Sequence, residues 1–310
     1  MKLRAIKVVY SVLLIAVLFV VSKHVPFGDL FKLSQKISVV QLGILLILLS
    51  LFTWIGISFW ACLVRDFLGK RIGWLEAFGQ HSLMSLGKYL PSGVLGILGR
   101  HHMLTKLGAS HSESIGLLFN EQMLTVSAGI FIGSLMLLIG WGMDNPVNST
   151  LAAFAFAACF TFPVFFNQLV KMALAYLPHK SLYLSRIELA PNYHANMMYA
   201  AMGWLMQSTL FLLLLEFLVS PDLSAQQWVL LAGLQCLSVL VGLLAIFAPV
   251  GIGVREAVLV ALGMAILPKY DLLLVAVAHR LVLMLWDFVV GFFGSSLRLL
   301  FKDKAESGSF

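Results

Sequence analysis

The chain has 310 residues, 60% of them hydrophobic and 11% charged, with a formal net charge of +7. An average soluble domain carries about 25% charged residues, so the composition excludes a soluble globule, a disordered chain and a secreted disulfide scaffold. It predicts an all-α, polytopic integral membrane protein. The longest polar stretch, Lys171 to His194, is too short to bury a core of its own, so no soluble enzymatic domain is expected.

A crossing of the hydrocarbon core takes about 20 apolar residues. The first uncharged run, 8–22, suffices if Lys7 and Lys23 snorkel to the interface. Its basic start (Lys2, Arg4, Lys7) imitates a signal peptide, but no A-x-A-like site follows, so an uncleaved helix is predicted. Residues 24–36 alternate apolar and basic side chains and suit a short amphipathic helix in the interface. Further uncharged runs follow at 37–64, 122–143, 145–170, 189–215 and 223–254, the last longer than one span needs. Residues 272–297 are apolar except for His279, Arg280 and Asp287, which brings the predicted spans to seven. Two more apolar stretches, 74–98 and 257–267, are broken or short.

With the N-terminus in the cytoplasm, Arg65, Lys70, Arg71, Arg100, Lys106, Lys171, Lys180 and Arg186 all fall inside. So do Arg298, Lys302 and Lys304, while the outer loops 143–150 and 220–227 contain no Lys or Arg. Lys23, Lys32 and Lys36 are the exceptions. The basic residues thus serve topology and anionic headgroups, and nucleic acid is not an expected partner. For the C-terminus to return inside, 257–267 must cross or nearly cross. About eight crossings result, with two Pro/Gly-broken or re-entrant segments in a pseudo-repeat and both termini cytoplasmic.

The two interruptions share an order of residues. The first reads Pro91-Ser92-Gly93, then Gly96, Gly99 and Arg100; the second reads Pro249-Val250-Gly251, then Gly253 and Arg255-Glu256. Proline removes a backbone N–H and glycine exposes backbone, which a bilayer tolerates only where protein or a water-filled cavity satisfies it. A helix restarting after the glycines aims free N–H groups and a positive dipole end into that cavity. Arg100 and Arg255 add full positive charge, a combination suited to a lipid phosphate. Such paired breaks also point to a transporter's substrate site. The pseudo-repeat halves are roughly 37–140 and 195–300, with 301–310 a disordered tail. The competing reading is a pair of kinked, closely packed helices whose arginines only mark the interface.

Ionisable residues within spans are functional candidates, because burying a charge in a bilayer is costly. Glu121, Glu256, Arg280 and Asp287 are the expected ion-pair or gating set; Arg280 and Asp287, seven apart, share a helix face and suit partners such as Glu121 or Glu256. His279 lies in the same span, and Glu216 lies near enough to the outer end of its span to reach water. His101, His102 and His111 beside Arg100 suit headgroup contact better than a metal. Gly129-x-x-x-Gly133 is a helix-packing motif. Cys62, Cys159 and Cys236 lie in apolar runs and read as small apolar residues. No catalytic motif is present, so no enzyme activity, metal or cofactor is expected.

At these same residues the sequence resembles the lysylphosphatidylglycerol synthase transmembrane family, the flippase-like membrane domain. The family's second signature, a Gly-rich turn followed by Gly-Val-Arg-Glu-Ala, is matched by Gly253 to Ala257. The first is looser here, and the acidic-basic pair often found in the following helix is replaced by Glu121-Gln122. The resemblance runs from the first helix to Arg298. It implies a bacterial inner-membrane protein related to lipid translocation. Fused members carry a soluble aminoacyl-transferase domain after the membrane part; this chain stops at Phe310, so that activity is not expected of it.

The resulting expectation is a flippase-like protein that binds and translocates an anionic lipid, a phospholipid or a polyprenyl-phosphate-linked one. The phosphate would be held by Arg100, Arg255 and the backbone at Gly93, Gly96, Gly99, Gly251 and Gly253. Besides the lipid, another copy of the chain or an envelope-biosynthesis enzyme is the expected partner, and one alternative is a non-transporting accessory protein that binds lipid or scaffolds an envelope-lipid or glycan enzyme. Another is a membrane-embedded transferase acting on a lipid-linked sugar, for which the outer loops offer only Asp29, Asp144 and Asp222 as bases.

Overall fold

A computed structural model of the chain describes residues 37–89, 94–141, 192–245 and 251–306, with short pieces elsewhere. The expected first span, the interfacial segment 24–36, most of 145–170 and Gly93 lie outside the described residues. Among the described residues the regular elements are helices and no strand occurs. They are α1 (Val39–Leu68), α2 (Trp74–Gly87), α3 (Val94–Lys106), α4 (His111–Trp141), α5 (Tyr193–Leu218), α6 (Ala225–Leu244), α7 (Val254–Gly263) and α8 (Lys269–Glu306).

Five of these are long and apolar enough to cross a membrane: α1, α4, α5, α6 and the Lys269–Gly294 part of α8. Four overlap uncharged runs of the sequence and the α8 part overlaps the stretch that is apolar except for His279, Arg280 and Asp287, because in lipid a helix alone satisfies all its backbone groups within one segment. Three helix starts carry a reciprocal cap in which a serine oxygen accepts from the N–H three residues on, while that residue's side chain accepts from the serine N–H. The pairs are Ser38 with Gln41, Ser110 with Glu113 and Ser224 with Gln227.

The interrupted segments form two antiparallel helical hairpins. In the first, α3 runs back along α2: Gly96 lies against Gly87, Gly99 against Leu83, and Arg100 Nε reaches the Gln80 carbonyl. Lys70, just before α2, donates through Nζ to the carbonyl of Leu107, just after α3, at 2.5 Å, so entry and exit of this hairpin meet. In the second, α7 runs back along α6, with Arg255 against Gly242 and Gly263 near Leu231. At 1.5 Å per residue, the 13 residues of α3 and 10 of α7 rise about 20 and 15 Å, short of a hydrocarbon core of about 30 Å. α7 alone is thus shorter than a full crossing, in keeping with a broken or re-entrant segment, and residues 254–263 pack back along α6 as the second leg of the hairpin.

The chain forms two compact units whose boundaries fall inside α1, α4, α5 and α8. One comprises residues 1–52, 128–158 and 201–283; the other comprises 53–127, 159–200 and 284–310. The first contains the α6–α7 hairpin and the second the α2–α3 hairpin. In the first, glycines let α4 and α6 approach: a Cβ at Gly133 would lie 3.1 Å from Cys236, and one at Gly140 would lie 2.7 Å from the Leu230 backbone. Gly129 takes the Trp204 ring, where a Cβ would meet it at 2.5 Å. In the second, Trp60, Leu63, Leu104 and Leu117 are fully buried around α2 and α3.

Candidate functional site

In the unit holding α6 and α7, a small cavity lies among α5, α6, α7 and α8. Its polar lining comes from Gln235 and Ser238 on α6, Arg255 and Glu256 on α7, and His279 and Arg280 on α8. Phe211 of α5 closes it on an apolar side. The remaining room is about 10 Å³, enough for one water-sized group.

Each polar side chain is placed by a local cause. Gly253 has φ +83° and Gly251 has φ +66°, a backbone region that L side chains rarely adopt. The turn they make lets α7 begin immediately, with Arg255 and Glu256 in its first turn. Gly242 on α6 leaves the space that the Arg255 stem occupies; a Cβ there would collide with Arg255 Cγ. Glu256 has both oxygens engaged: Oε1 accepts from Arg280 Nη1 at 2.8 Å, and Oε2 accepts from the Gly253 N–H at 2.8 Å. The carboxylate thus ties α7 to α8 and occupies one of the N–H groups that the sequence assigned to a lipid phosphate. His279, 3% exposed, lies 3.2 Å through Nε2 from the Gln207 carbonyl, which can only accept, so Nε2 carries the hydrogen. The Phe211 ring meets His279 edge-on at 5.9 Å between centroids. Gln235 Oε1 faces the Ser208 hydroxyl, while its Nε2 is buried without a hydrogen-bond partner.

In the other unit the corresponding ion pair has the opposite polarity. Here the short helix supplies the arginine and the long helix the carboxylate: Arg100 Nη1 donates to Glu121 at 2.7 and 2.5 Å. The Arg100 side chain is 1% exposed and its guanidinium lies 3.8 Å from the Trp60 ring centroid. Trp60 Nε1 donates to Gln80 Oε1 at 2.8 Å, and Gln80 Nε2 donates to Glu76 Oε1 at 2.9 Å. Arg100 therefore has its charge answered within the protein, by a carboxylate, a ring face and a carbonyl, and is sealed from a headgroup in this conformation. Gly96 and Gly99, expected at the phosphate, are packing positions: a Cβ at Gly96 would lie 3.0 Å from Gly87 Cα and one at Gly99 2.5 Å from Leu83.

Asp287 belongs to this second unit. Lys88 Nζ lies 2.7 Å from it and the Tyr89 hydroxyl donates to it at 2.6 Å. The Tyr89 ring stacks on Phe288 at 5.5 Å. Arg280 and Asp287 thus share a helix but serve separate pairs, one in each unit. His101 bridges Ser114 at 2.8 Å and His111 at 2.9 Å, and no metal-capable group of three such side chains exists among the described residues. Lys88, Trp60, Gln80, Gln235 and Gly242 are additions that the sequence did not single out. A lysine beside a Pro/Gly break and a glutamine inside an apolar run were the available signals.

The fold defines a polytopic helical membrane protein in which each compact unit holds one short-legged helical hairpin. The chain belongs to the family described as lysylphosphatidylglycerol synthase TM region, matched over residues 5–291. This membership associates it with lipid handling in a membrane. No curated protein matches the chain.

Proposed function

We propose that the protein binds an anionic lipid, phospholipid or polyprenyl-phosphate-linked, through a phosphate oxygen seated at Arg255, and moves that lipid across the bacterial cytoplasmic membrane. The observation that carries this reading is the cavity among α5, α6, α7 and α8, where Arg255 and Arg280 stand beside an unpartnered amide donor. A guanidinium in an apolar helix bundle favours an anionic oxygen, and hydrogen bonds to a charged group are the strong ones. The room for about one water-sized group fits a single oxygen entering while the rest of the headgroup stays outside.

The ion pairs supply a route to movement. Glu256 holds Arg280 and the turn at Gly253 together, so a phosphate that draws Arg280 away loosens the hairpin. Arg100 with Glu121 fastens the other hairpin and takes a structural role instead of a phosphate contact. The excess of Lys and Arg in the inner loops supports a cytoplasmic side for both termini in this reading. No cofactor or catalytic group enters this account.

The reading is tested by binding of a fluorescent phosphatidylglycerol to the purified protein in detergent. Arg255→Gln is expected to weaken binding about tenfold or more, as loss of a charged hydrogen bond does, while Arg255→Lys retains part of the affinity. Unchanged binding in Arg255→Gln overturns the assignment. Tight binding with no lipid movement in reconstituted vesicles would identify the protein as a lipid-binding accessory.

A further inference from the structure

We propose that Lys88 and Asp287 form a proton-coupled site for a lipid phosphate: the phosphate takes Lys88 away from Asp287, and the carboxylate left behind takes up one proton. The proposal rests on the reading of the protein as a carrier of anionic lipid. It does not rest on Arg255 as a ligand, because Lys88 and Asp287 belong to the unit that holds the α2–α3 hairpin.

Close packing of α2 on α8 builds the pair. Asp287, Gly291 and Gly294 share one face of α8. A Cβ at Gly291 would collide with Leu86 and one at Gly294 with Ser82, so the helices approach until Lys88 and Tyr89, just past the end of α2, reach Asp287. Lys88 Nζ lies 2.7 Å from Asp287 Oδ2, and the Tyr89 hydroxyl donates to that same oxygen at 2.6 Å. Asp287 Oδ1 has no hydrogen bond among the described residues. On the neighbouring α1, Thr53 accepts from Trp286 Nε1, and Gly56 receives the His81 ring of α2. Lys88 and Tyr89 are therefore the ionisable groups that face the carboxylate among the described residues.

What sets this pair apart is which partner is open. Arg280 and Glu256 are both enclosed, and in the Arg100–Glu121 pair the cation is the buried member. Here the lysine side chain is 43% exposed and the aspartate 13%. An ammonium has three donors and a compact charge on a flexible stem, so Lys88 can turn from Asp287 to a second anion. Phe288 and Phe292, one turn apart and exposed on α8, offer acyl chains an apolar track beside it. Once Lys88 turns to a phosphodiester, Asp287 keeps the Tyr89 hydroxyl but loses its cation. An unpaired carboxylate in an apolar bundle is costly, and a proton from water on Oδ1 removes the charge. Lysine and aspartate sum to zero before the exchange. Lysine, the singly charged phosphodiester and aspartic acid sum to zero after it. One proton thus accompanies each lipid held at this site.

The test uses the full-length protein in maltoside micelles at neutral pH. Calorimetric titration with short-chain phosphatidylglycerol, repeated in buffers of different ionisation enthalpy, counts the protons exchanged on binding. Uptake of about one proton per protein at lipid saturation is expected, in wild type and in Arg255→Gln alike. Asp287→Asn is expected to bind lipid without proton uptake, and Asp287→Glu to restore the uptake. Glycerophosphoglycerol, the same phosphodiester without acyl chains, is expected to cause none at equal concentration. Lipid binding by wild type without proton uptake overturns the proposal and leaves the Arg255 reading standing, and this result needs no variant to fold. Uptake unchanged in Asp287→Asn overturns it as well. Equal uptake with glycerophosphoglycerol overturns the assignment of the site to a lipid. Proton-linked binding of unchanged affinity in Arg255→Gln overturns only the Arg255 reading, and no lipid binding by wild type overturns both.

Discussion

Arg100 and Arg255 look alike in the sequence, each following a Pro/Gly break, yet their surroundings differ. Arg100 is sandwiched between Trp60 and Glu121 and is fully enclosed. Removing one partner of such a pair leaves an uncompensated buried charge, at about 3–5 kcal/mol, while removing both is far less damaging. Arg100→Met is therefore expected to lower the thermal stability of the detergent-solubilised protein strongly, and Arg100→Met with Glu121→Leu to recover much of the loss. Equal stability of wild type and the single variant would contradict the pairing. The hairpin tip gives a second residue-scale prediction. Gly253→Ala is expected to cost about 1–2 kcal/mol from its left-handed backbone alone. Gly251→Ala should cost more, because its Cβ would also lie 2.7 Å from the Gly242 carbonyl oxygen. Equal losses in thermal melts would show that the Gly242 contact does not matter. The sequence made Glu121, Glu256, Arg280 and Asp287 visible as costly residues in apolar runs. It offered Glu256 as a partner of Arg280, and the two pair at 2.8 Å, but it did not offer Lys88 for Asp287, because that pairing depends on how distant helices pack.

At the scale of elements, the hairpins were legible as broken or re-entrant segments, without the choice between the two being made. Proline and glycine announce where a helix stops. Whether the chain then continues onward or doubles back depends on the packing of the two legs, here on Gly87 with Gly96 and on Gly242 with Arg255. The 32-residue run at 223–254 read as one over-long span because α6 and the tip are equally apolar. The doubling back is open to direct test in a background with Cys62, Cys159 and Cys236 replaced by serine. Single cysteines at Arg71 and Lys106 are expected to react with a membrane-impermeant maleimide from one common face. Cysteines at Asp222 and Pro268 are likewise expected to share a face. Labelling from opposite faces within either pair would show that only one leg crosses and that the hairpin is wrong.

For the whole molecule, composition already dictated a helical membrane protein, and the match over residues 5–291 places it in a family concerned with membrane lipids. Each compact unit carries one hairpin and one ion pair between a short helix and the long helix that follows it, Arg100 with Glu121 and Glu256 with Arg280. The opposite polarity of the two pairs was hidden in the sequence behind the common Pro-x-Gly…Arg order. It separates their surroundings, since one arginine is enclosed between Trp60 and Glu121 and the other lines a small cavity. The account stands on lipid movement that depends on that second arginine. Its most direct test is translocation of a fluorescent anionic phospholipid in proteoliposomes, comparing wild type with Arg255→Gln at equal reconstitution. Wild type is expected to move the lipid and Arg255→Gln to do so about tenfold more slowly or worse. Equal rates in the two proteins, or no movement by wild type, would contradict it.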